Sequence, residues 1–369
     1  MKIGFAAEIL AKRDELFQLM EIKELDGIIL SAVPNQTWFV PTIEPYTPLI
    51  SESSKIILYI PRSRKILLAG PENEMQQLLE RDFTGIDVEH YTYPWYRDER
   101  KEIVSKWTAN GRIGSDVLIP DTIPVADELE LRRSVLTDSE QTRYRELGRV
   151  CARVLTEVLR NAAPGRTEAD IAGMVAGQLL PEGIVPEVLL VGSDERLERF
   201  RHPHTTLKKV QRYVMINLTA RRWGLYLSLT RARYFGKLPE ELARKQQVAA
   251  QVDSIILSQS KTGVSLAELY AVAEDAYARA GYPGEEKRHH QGGTTGYRGR
   301  ERRAKQGETW QLMANQAIAF NPTVRGTKSE DTALVRQDKP EILSRDSSWP
   351  FLDIYTNGCV FSRPAIMAD

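Results

Sequence analysis

The sequence predicts a two-domain protein in which an α/β domain precedes a larger α+β domain. The chain has 369 residues, which exceeds the roughly 250–300 residues at which a single hydrophobic core usually stops growing. Helix-like and strand-like segments alternate over the first third of the chain. A seven-residue motif then occurs twice in the remainder, which indicates two related halves. We therefore predict domains at residues 1–130 and 131–369.

The N-terminal elements follow from their apolar patterns. Helical spacing of apolar residues predicts a helix, and short apolar runs between turn residues predict strands. The predicted elements are a helix over 9–24, strands over Gly27–Leu30, Ile56–Ile60 and Lys65–Ala69, a helix over Glu72–Arg81 and a strand over Ile86–Tyr91. Two prolines in the next segment predict a linker over Pro120–Leu136.

The second domain begins with a helix whose start is marked by Thr137 and Glu140, which fit a capping box. The apolar positions that share one helical face are Leu147, Val150, Val154 and Val158. Pro164-Gly165 ends this helix.

An internal repeat follows this helix. The segments Gly165–Ile171 (GRTEADI) and Gly263–Leu269 (GVSLAEL) both contain a loop glycine, an N-cap hydroxyl and an acid three residues after it. Each segment follows a long helix and precedes strand-like sequence. Two unrelated helix caps would explain the motif alone. The shared context also fits a duplicated unit of two helices and a sheet, with a cleft between the two copies.

Composition limits the possible functions. Lys+Arg and Asp+Glu are 50 each, and this balance argues against a nucleic-acid partner. The basic run Arg298–Arg303 (RGRERR) is interpreted as a solvated loop. No apolar stretch has the length of a membrane span or a signal peptide. Cys151 and Cys359 form no CxxC pair. We expect a cytoplasmic protein with no membrane partner.

Histidines provide the first indication of a site. The chain has five histidines, and four of them form two clusters, His202 with His204 and His289 with His290. Histidine acts as acid, base or ligand near neutral pH, so two clusters in one predicted domain suggest chemistry. Each histidine taken alone is more often structural. Two hairpin-like segments, Val214–Gly236 and Ala317–Val335, complete the pattern.

The order of these features resembles the pita-bread family, which includes aminopeptidase P, prolidase, methionine aminopeptidase and creatinase. The shared order is a long helix, a capped helix, a histidine loop, a hairpin ending in S-x-T-R, a second capped helix, H-x-x-G-x-x-x-G-x-x-x-x-E over His289–Glu301, an N-P loop and an S-E-D strand. The resemblance implies a pseudo-twofold, curved antiparallel sheet covered by helices in the second domain. It also implies a creatinase/prolidase-type first domain.

The resemblance also indicates that most metal ligands are missing. The family's metallopeptidases hold two metal ions with two Asp, one His and two Glu side chains. These ligand positions fall on Asn217, Ser228, Gly293, Asn321 and Glu330. Only Glu330 is retained, and a neutral amide, a hydroxyl or a glycine binds a hard divalent ion far more weakly than a carboxylate does. We therefore expect no metal ligands and no cofactor.

Creatinase is the informative relative, because the resemblance implies C–N bond cleavage without metal, with a loop histidine as acid and base. His202 matches that histidine best, and His204 competes with it because the loop is shorter here. We predict His202, Glu330 and His289 as catalytic residues. The predicted substrate-binding residues are His204, Asn217, Ser228, Arg231, Asn321, Arg325 and His290. For Arg231, an ion pair that braces the hairpin is an equal alternative.

The sequence supports more than one function. The first is a metal-independent hydrolase or lyase that cleaves a C–N bond of a small nitrogenous substrate. The second is an inactive Xaa-Pro peptidase homologue that binds peptide or protein. A rebuilt single-metal site from His202, His289, His290 and Glu330 is a third. The resemblance to this branch of the family also implies a homodimer.

Overall fold

The computed structural model describes residues 5–49, 51, 53–63, 65–109 and 111–369. The chain divides into two compact units, Met1–Arg133 and Ser134–Asp369. None of the helices in the described part of the chain combines the length and apolar character needed to cross a bilayer.

Unit 1 is a mixed α/β unit. Its described helices are α1 (Ala6–Lys23), α2 (Val33–Phe39), α3 (Glu72–Asp82), α4 (Arg100–Thr108) and α5 (Ala126–Ser134). Its described strands are β1 (Gly27–Leu30), β2 (Ile57–Pro61), β3 (Ile66–Pro71), β4 (Val88–Tyr93), β5 (Ile113–Ser115) and β6 (Ile123–Pro124). They form one sheet in the order β4-β3-β2-β1-β5-β6. The α/β prediction for this region is confirmed.

Helix α5 occupies much of the predicted linker region over Pro120–Leu136, and the boundary between the two compact units, after Arg133, falls inside that region. Acidic Asp127 and Glu128 lie in the first turn of α5, and Arg132 and Arg133 lie in the last. Charges in these positions complement the helix dipole and favour a helix.

Unit 2 contains two four-stranded, mainly antiparallel sheets, each with a pair of helices. Its described helices are α6 (Asp138–Asn161), α7 (Glu168–Leu179), α8 (Glu195–Arg199), α9 (Glu240–Gln259) and α10 (Leu266–Arg279). The strands of the first sheet are β7 (Val185–Ser193), β8 (Tyr213–Arg222), β9 (Leu225–Tyr234) and β18 (Met367–Ala368), in the order β18-β9-β8-β7 with β18 parallel to β9. Helix α6 packs on β8 and β9, and α7 packs on β7.

The second sheet has the order β10-β11-β14-β15. Its strands are β10 (Gly292–Thr295), β11 (Ala317–Phe320), β14 (Asp331–Leu334) and β15 (Glu341–Ile342). Two further hairpins are β12 (Thr323–Val324) with β13 (Thr327–Lys328), and β16 (Phe351–Thr356) with β17 (Cys359–Pro364). Apolar residues of α9 and α10 form one buried cluster with residues of the second sheet.

The two halves of unit 2 repeat one local structure. Thr167 and Ser265 are N-caps of α7 and α10, and each forms a full capping box with the acid three residues later. Thr167 forms an isolated β-bridge with Lys209, and Ser265 forms an isolated β-bridge with Gln311. The duplication that the sequence suggested is therefore present in the backbone. The two sheets meet where the Thr230 N–H donates to the Glu330 carbonyl at 3.1 Å.

Candidate active site

The first wall of the candidate site is the hairpin β8–β9. A two-residue loop, Trp223-Gly224, joins the strands, and both residues have positive φ (55° and 73°), as a type I′ turn requires. This turn fixes a register that sets Asn217 opposite Thr230. Side chains alternate along a strand, so Ser228, two residues before Thr230, shares this face. The buried face of the hairpin is therefore polar at its centre.

Glu330 joins this hairpin to the second sheet. Its side chain is 5 % exposed. Thr230 Oγ1 lies 2.7 Å from Glu330 Oε2 and 3.0 Å from Asn217 Oδ1. A hydroxyl carries one proton, and the carboxylate is the stronger acceptor, so the Thr230 proton goes to Glu330.

Two cations lie beside this carboxylate. The Arg300 guanidinium donates to Glu330 Oε1 at 3.2 Å through Nη2 and to Ser228 Oγ at 3.2 Å through Nη1. Lys328 Nζ lies 3.9 Å from Glu330 Oε2. Burial lowers the pKa of Lys328, and Arg300 and Arg201 add to this effect while Glu330 opposes it. One carboxylate therefore faces two basic side chains.

Three imidazoles form a contiguous group nearby. His202 Nε2 and His289 Nε2 are 2.8 Å apart, and the rings of His289 and His290 stack with centroids 4.2 Å apart. Burial, and then Lys328, lower the pKa of His289 to about 2. Burial, and then Arg300, lower the pKa of His290 to about 3. The pKa of His202 is also lowered, by burial first and by Lys328 next. All three rings are therefore neutral at pH 7.

The family of this chain follows from its match to a family model. The model of metallopeptidase family M24 matches residues 142–337, which is more than half of the chain. The chain belongs to metallopeptidase family M24. A search of curated proteins found no match for this M24 chain.

Solved structures show the fold of this M24 chain. A dipeptidase from Mycobacterium ulcerans matches with a TM-score of 0.75 and 19% identity, covering 100% of this chain and 99% of the dipeptidase. A prolidase from Pyrococcus horikoshii OT3 matches with a TM-score of 0.73 and 18% identity, covering 91% of this chain and 98% of the prolidase. An X-Pro aminopeptidase from Thermotoga maritima MSB8 matches with a TM-score of 0.74 and 16% identity, covering 97% of this chain and 99% of the aminopeptidase. These likenesses confirm the pita-bread fold, and family membership supports a peptidase-like hydrolase framework.

The donor set of this M24 chain does not fit the dinuclear metal centre that the family name implies. The predicted ligand positions include Asn217, Ser228 and Glu330, and the single carboxylate among them already has Arg300 and Lys328 as neighbours. A guanidinium lies between Ser228 and Glu330, two positions where a metallopeptidase would carry carboxylates. Within the part of the chain that the structure describes, no three His, Cys, Asp or Glu side chains are arranged to hold a metal ion.

The structure brings most of the predicted site residues of this M24 chain together. His202, His289 and His290 form the imidazole group, and Asn217, Ser228 and Glu330 connect through Thr230 and Arg300. Asn321 is 3 % exposed and its Oδ1 is buried without a hydrogen-bond partner.

The remaining predicted site residues make other contacts. His204 and Arg325 are exposed, and the His204 carbonyl accepts from Arg196 at 2.6 Å. Arg325 lines a pocket with Phe200 and Arg288. Arg231 is 1 % exposed and donates to Asp331 Oδ1 at 2.8 Å, which is the bracing ion pair given above as the alternative.

Sequence reasoning missed the two cations of the site. The interpretation of Arg298–Arg303 as a solvated loop is wrong at Arg300, whose side chain is 11 % exposed. A signal was present in the family pattern, because its histidine before the final glutamate falls on Arg300, and its R-x-E-D arginine falls on Lys328. Two basic residues at site positions, together with the loss of acids, indicate that protein cations compensate Glu330.

Proposed function

We propose that this chain is a metal-independent hydrolase that cleaves a C–N bond of a small nitrogenous substrate, with His202 as acid and base. The observation that carries the proposal is the 2.8 Å contact between the Nε2 atoms of His202 and His289. This contact pairs the exposed His202 imidazole with the more buried His289 imidazole. Both lie near Glu330, whose charge is compensated by protein cations.

The pair of imidazoles suits proton transfer. Its two Nε2 atoms share one proton, since one ring must donate and the other must accept. In the tautomer in which His202 donates, the lone pair of its Nδ1 is free to take a proton from water. The resulting imidazolium keeps its Nε2–H bond to His289, which stabilises the charge. His289 itself remains neutral, because its pKa is about 2.

The proposed reaction requires only water, the substrate and the His202 imidazole. His202 removes a proton from the attacking water as that water adds to the carbon of the C–N bond. The same proton passes to the leaving nitrogen as the bond breaks. Atoms balance, because the hydroxyl stays on carbon and one proton leaves with the amine.

A second candidate function has a specific observation in its favour. Glu330 is the one carboxylate retained of the five ligand positions, and Arg300 and Lys328 compensate its charge. A compensated carboxylate is a poor metal ligand, as expected of a homologue that binds a peptide without cleaving it. This candidate predicts ligand binding that does not depend on His202.

The test combines metal content with turnover. We would purify the protein without metal resin, measure bound metal by elemental mass spectrometry, and assay amidines, guanidino acids and X-Pro dipeptides for amine release with and without manganese. The matched variants are His202→Ala in the site and His90→Ala, an exposed histidine on β4. The proposal expects turnover of a C–N substrate in chelator-treated protein, lost by at least 100-fold, on the order of a general acid–base contribution, in His202→Ala alone.

Other results would overturn this proposal. Turnover of X-Pro dipeptides that requires stoichiometric manganese would assign the chain to the metallopeptidases by mechanism as well as by family. Peptide binding of equal affinity in wild type and His202→Ala, with no turnover of any substrate class, would establish the second candidate.

A further inference from the structure

We propose that Lys328 binds a carboxylate group of the substrate, so that the ligand of this site is a monoanionic carboxylic acid. This inference rests on the function proposed above, because it names the substrate class of the same site.

The ammonium of Lys328 lacks a protein acceptor. The residue is 6 % exposed, and among the described residues no acceptor lies within hydrogen-bond distance of Nζ. Glu330 Oε2, at 3.9 Å, forms a loose ion pair with it. Nζ is also absent from the set of fully enclosed unpaired atoms, so it retains accessible surface. Three N–H donors on one side chain are thus available to a ligand that enters.

The surroundings favour an anion over a cation at this ammonium. Lys328 raises the positive potential at His202 and His289 enough to contribute to the lowered pKa of each. Arg300 lies on the far side of Glu330 and uses that carboxylate's other oxygen. A cationic substrate would therefore lie beside two cations, Arg300 and Lys328. The one carboxylate there, Glu330, already has both of them as neighbours.

The summed charge of the buried side chains favours a ligand with a single negative charge. With both basic side chains protonated and Glu330 ionised, Arg300, Lys328 and Glu330 together carry a net charge of +1. Arg201 adds no net charge, since it forms an ion pair with Glu285. One carboxylate brings this group to zero, whereas a phosphate dianion would leave it at −1. A buried charge without a compensating partner destabilises the folded protein.

The experiment measures anion binding directly, with acetate as the probe. Thermal midpoints are recorded at pH 7 and constant ionic strength, with acetate replacing chloride, and parallel arms use inorganic phosphate and methylguanidinium. We expect a saturable rise in midpoint with acetate, with an apparent Kd on the order of millimolar for so small a ligand, and a smaller response to phosphate. Methylguanidinium should give no saturable rise.

Variants assign the effect to Lys328. Lys328→Met removes the charge and keeps the stem, and it should weaken acetate binding at least tenfold. Lys328→Arg should retain binding, which shows that the site is folded and that charge matters. Lys261→Met, at an exposed lysine after α9, should bind acetate as wild type does. His202→Ala should also bind acetate, because binding needs no proton transfer.

The outcomes separate this inference from the proposed function. An equal acetate response in wild type and Lys328→Met, or tighter binding of phosphate than of acetate, would overturn the carboxylate assignment while any His202-dependent turnover stood. Acetate binding through Lys328 without turnover of any C–N substrate would overturn the hydrolase proposal and leave the carboxylate site in place.

Discussion

Two buried charge clusters lie back to back in unit 2, and they differ in the balance of acids and bases. The structural cluster consists of Arg231, Asp331, Arg363 and Asp253, and the site cluster consists of Arg300, Glu330 and Lys328. Thr230 and Arg231 are neighbours on β9, and Glu330 and Asp331 are neighbours at the start of β14. Consecutive residues of an extended chain point to opposite sides, so Glu330 and Asp331 belong to different clusters.

The structural cluster is balanced and tightly paired. Arg363 Nη2 lies 2.7 Å from Asp253 Oδ2 and 2.9 Å from Asp331 Oδ2, and Arg231 donates to Asp331 at 2.8 Å. Two arginines thus meet two aspartates. The site cluster has one acid for two bases, and its lysine has no acceptor within hydrogen-bond distance among the residues that the structure describes. The difference indicates that the first cluster stabilises the fold and that the second is completed by a ligand.

The largest expected effect comes from breaking the structural cluster. Arg363→Met removes the shared partner of Asp253 and Asp331 and leaves Asp253 with the Ser329 hydroxyl at 2.6 Å. Removing one member of a buried ion pair typically costs about 3–5 kcal/mol. Urea unfolding should show a loss of that size in the free energy of unfolding.

The control is Arg279→Met, since the Arg279 side chain is 80 % exposed and pairs with Asp275 at 2.8 Å. An exposed pair should contribute less than about 1 kcal/mol. Similar losses in the two variants would contradict the structural assignment of the buried cluster.

The imidazole group of the site should make stability depend on pH. The pKa values of His289 (about 2) and His290 (about 3) lie below that of an unfolded histidine, so the unfolded chain takes up protons first as the pH falls below about 6.5. The stability contributed by these neutral rings is present above that pH and is lost towards lower pH. Between pH 7 and 5.5 the loss should reach up to about 1 kcal/mol for each ring.

Urea midpoints across this range measure the effect. The double variant His289→Gln, His290→Asn should show a shallower decline of the unfolding free energy than wild type. His90→Asn, on the exposed face of β4, should decline as wild type does. A double variant with an unchanged slope would show that the two rings take up protons equally in the folded and unfolded states.

The smallest expected effect is a gain in stability from the site cluster. Lys328→Met removes the excess cation and leaves Arg300 paired with Glu330, so the free energy of unfolding should rise by up to about 1 kcal/mol. The sign follows from the lowered pKa of Lys328. The unfolded chain binds that proton more tightly, so wild-type stability should increase as the pH rises towards the ordinary lysine pKa. A variant less stable than wild type at every pH would place Lys328 with the structural residues.

Much of the fold was predictable because its signals are local. The capping boxes at Thr137, Thr167 and Ser265 are formed as their sequences predict, and β1 has its predicted bounds. The four apolar positions predicted on one face of α6 are all buried. Helix α5 was missed, because the two prolines before it received more weight than the charge pattern that follows them.

The sequence by itself determined which ligand carboxylates are missing, because a substitution at a fixed motif spacing needs no knowledge of the fold. It also determined the duplicated caps and the histidine clusters. Only the tertiary structure decided what compensates the remaining carboxylate. Arg300 meets Ser228 and Glu330 across separations of 72 and 30 residues, and no local pattern encodes such a meeting. Burial then sets the chemistry, since removal from water lowers the pKa of the lysine and of the imidazoles in the same site.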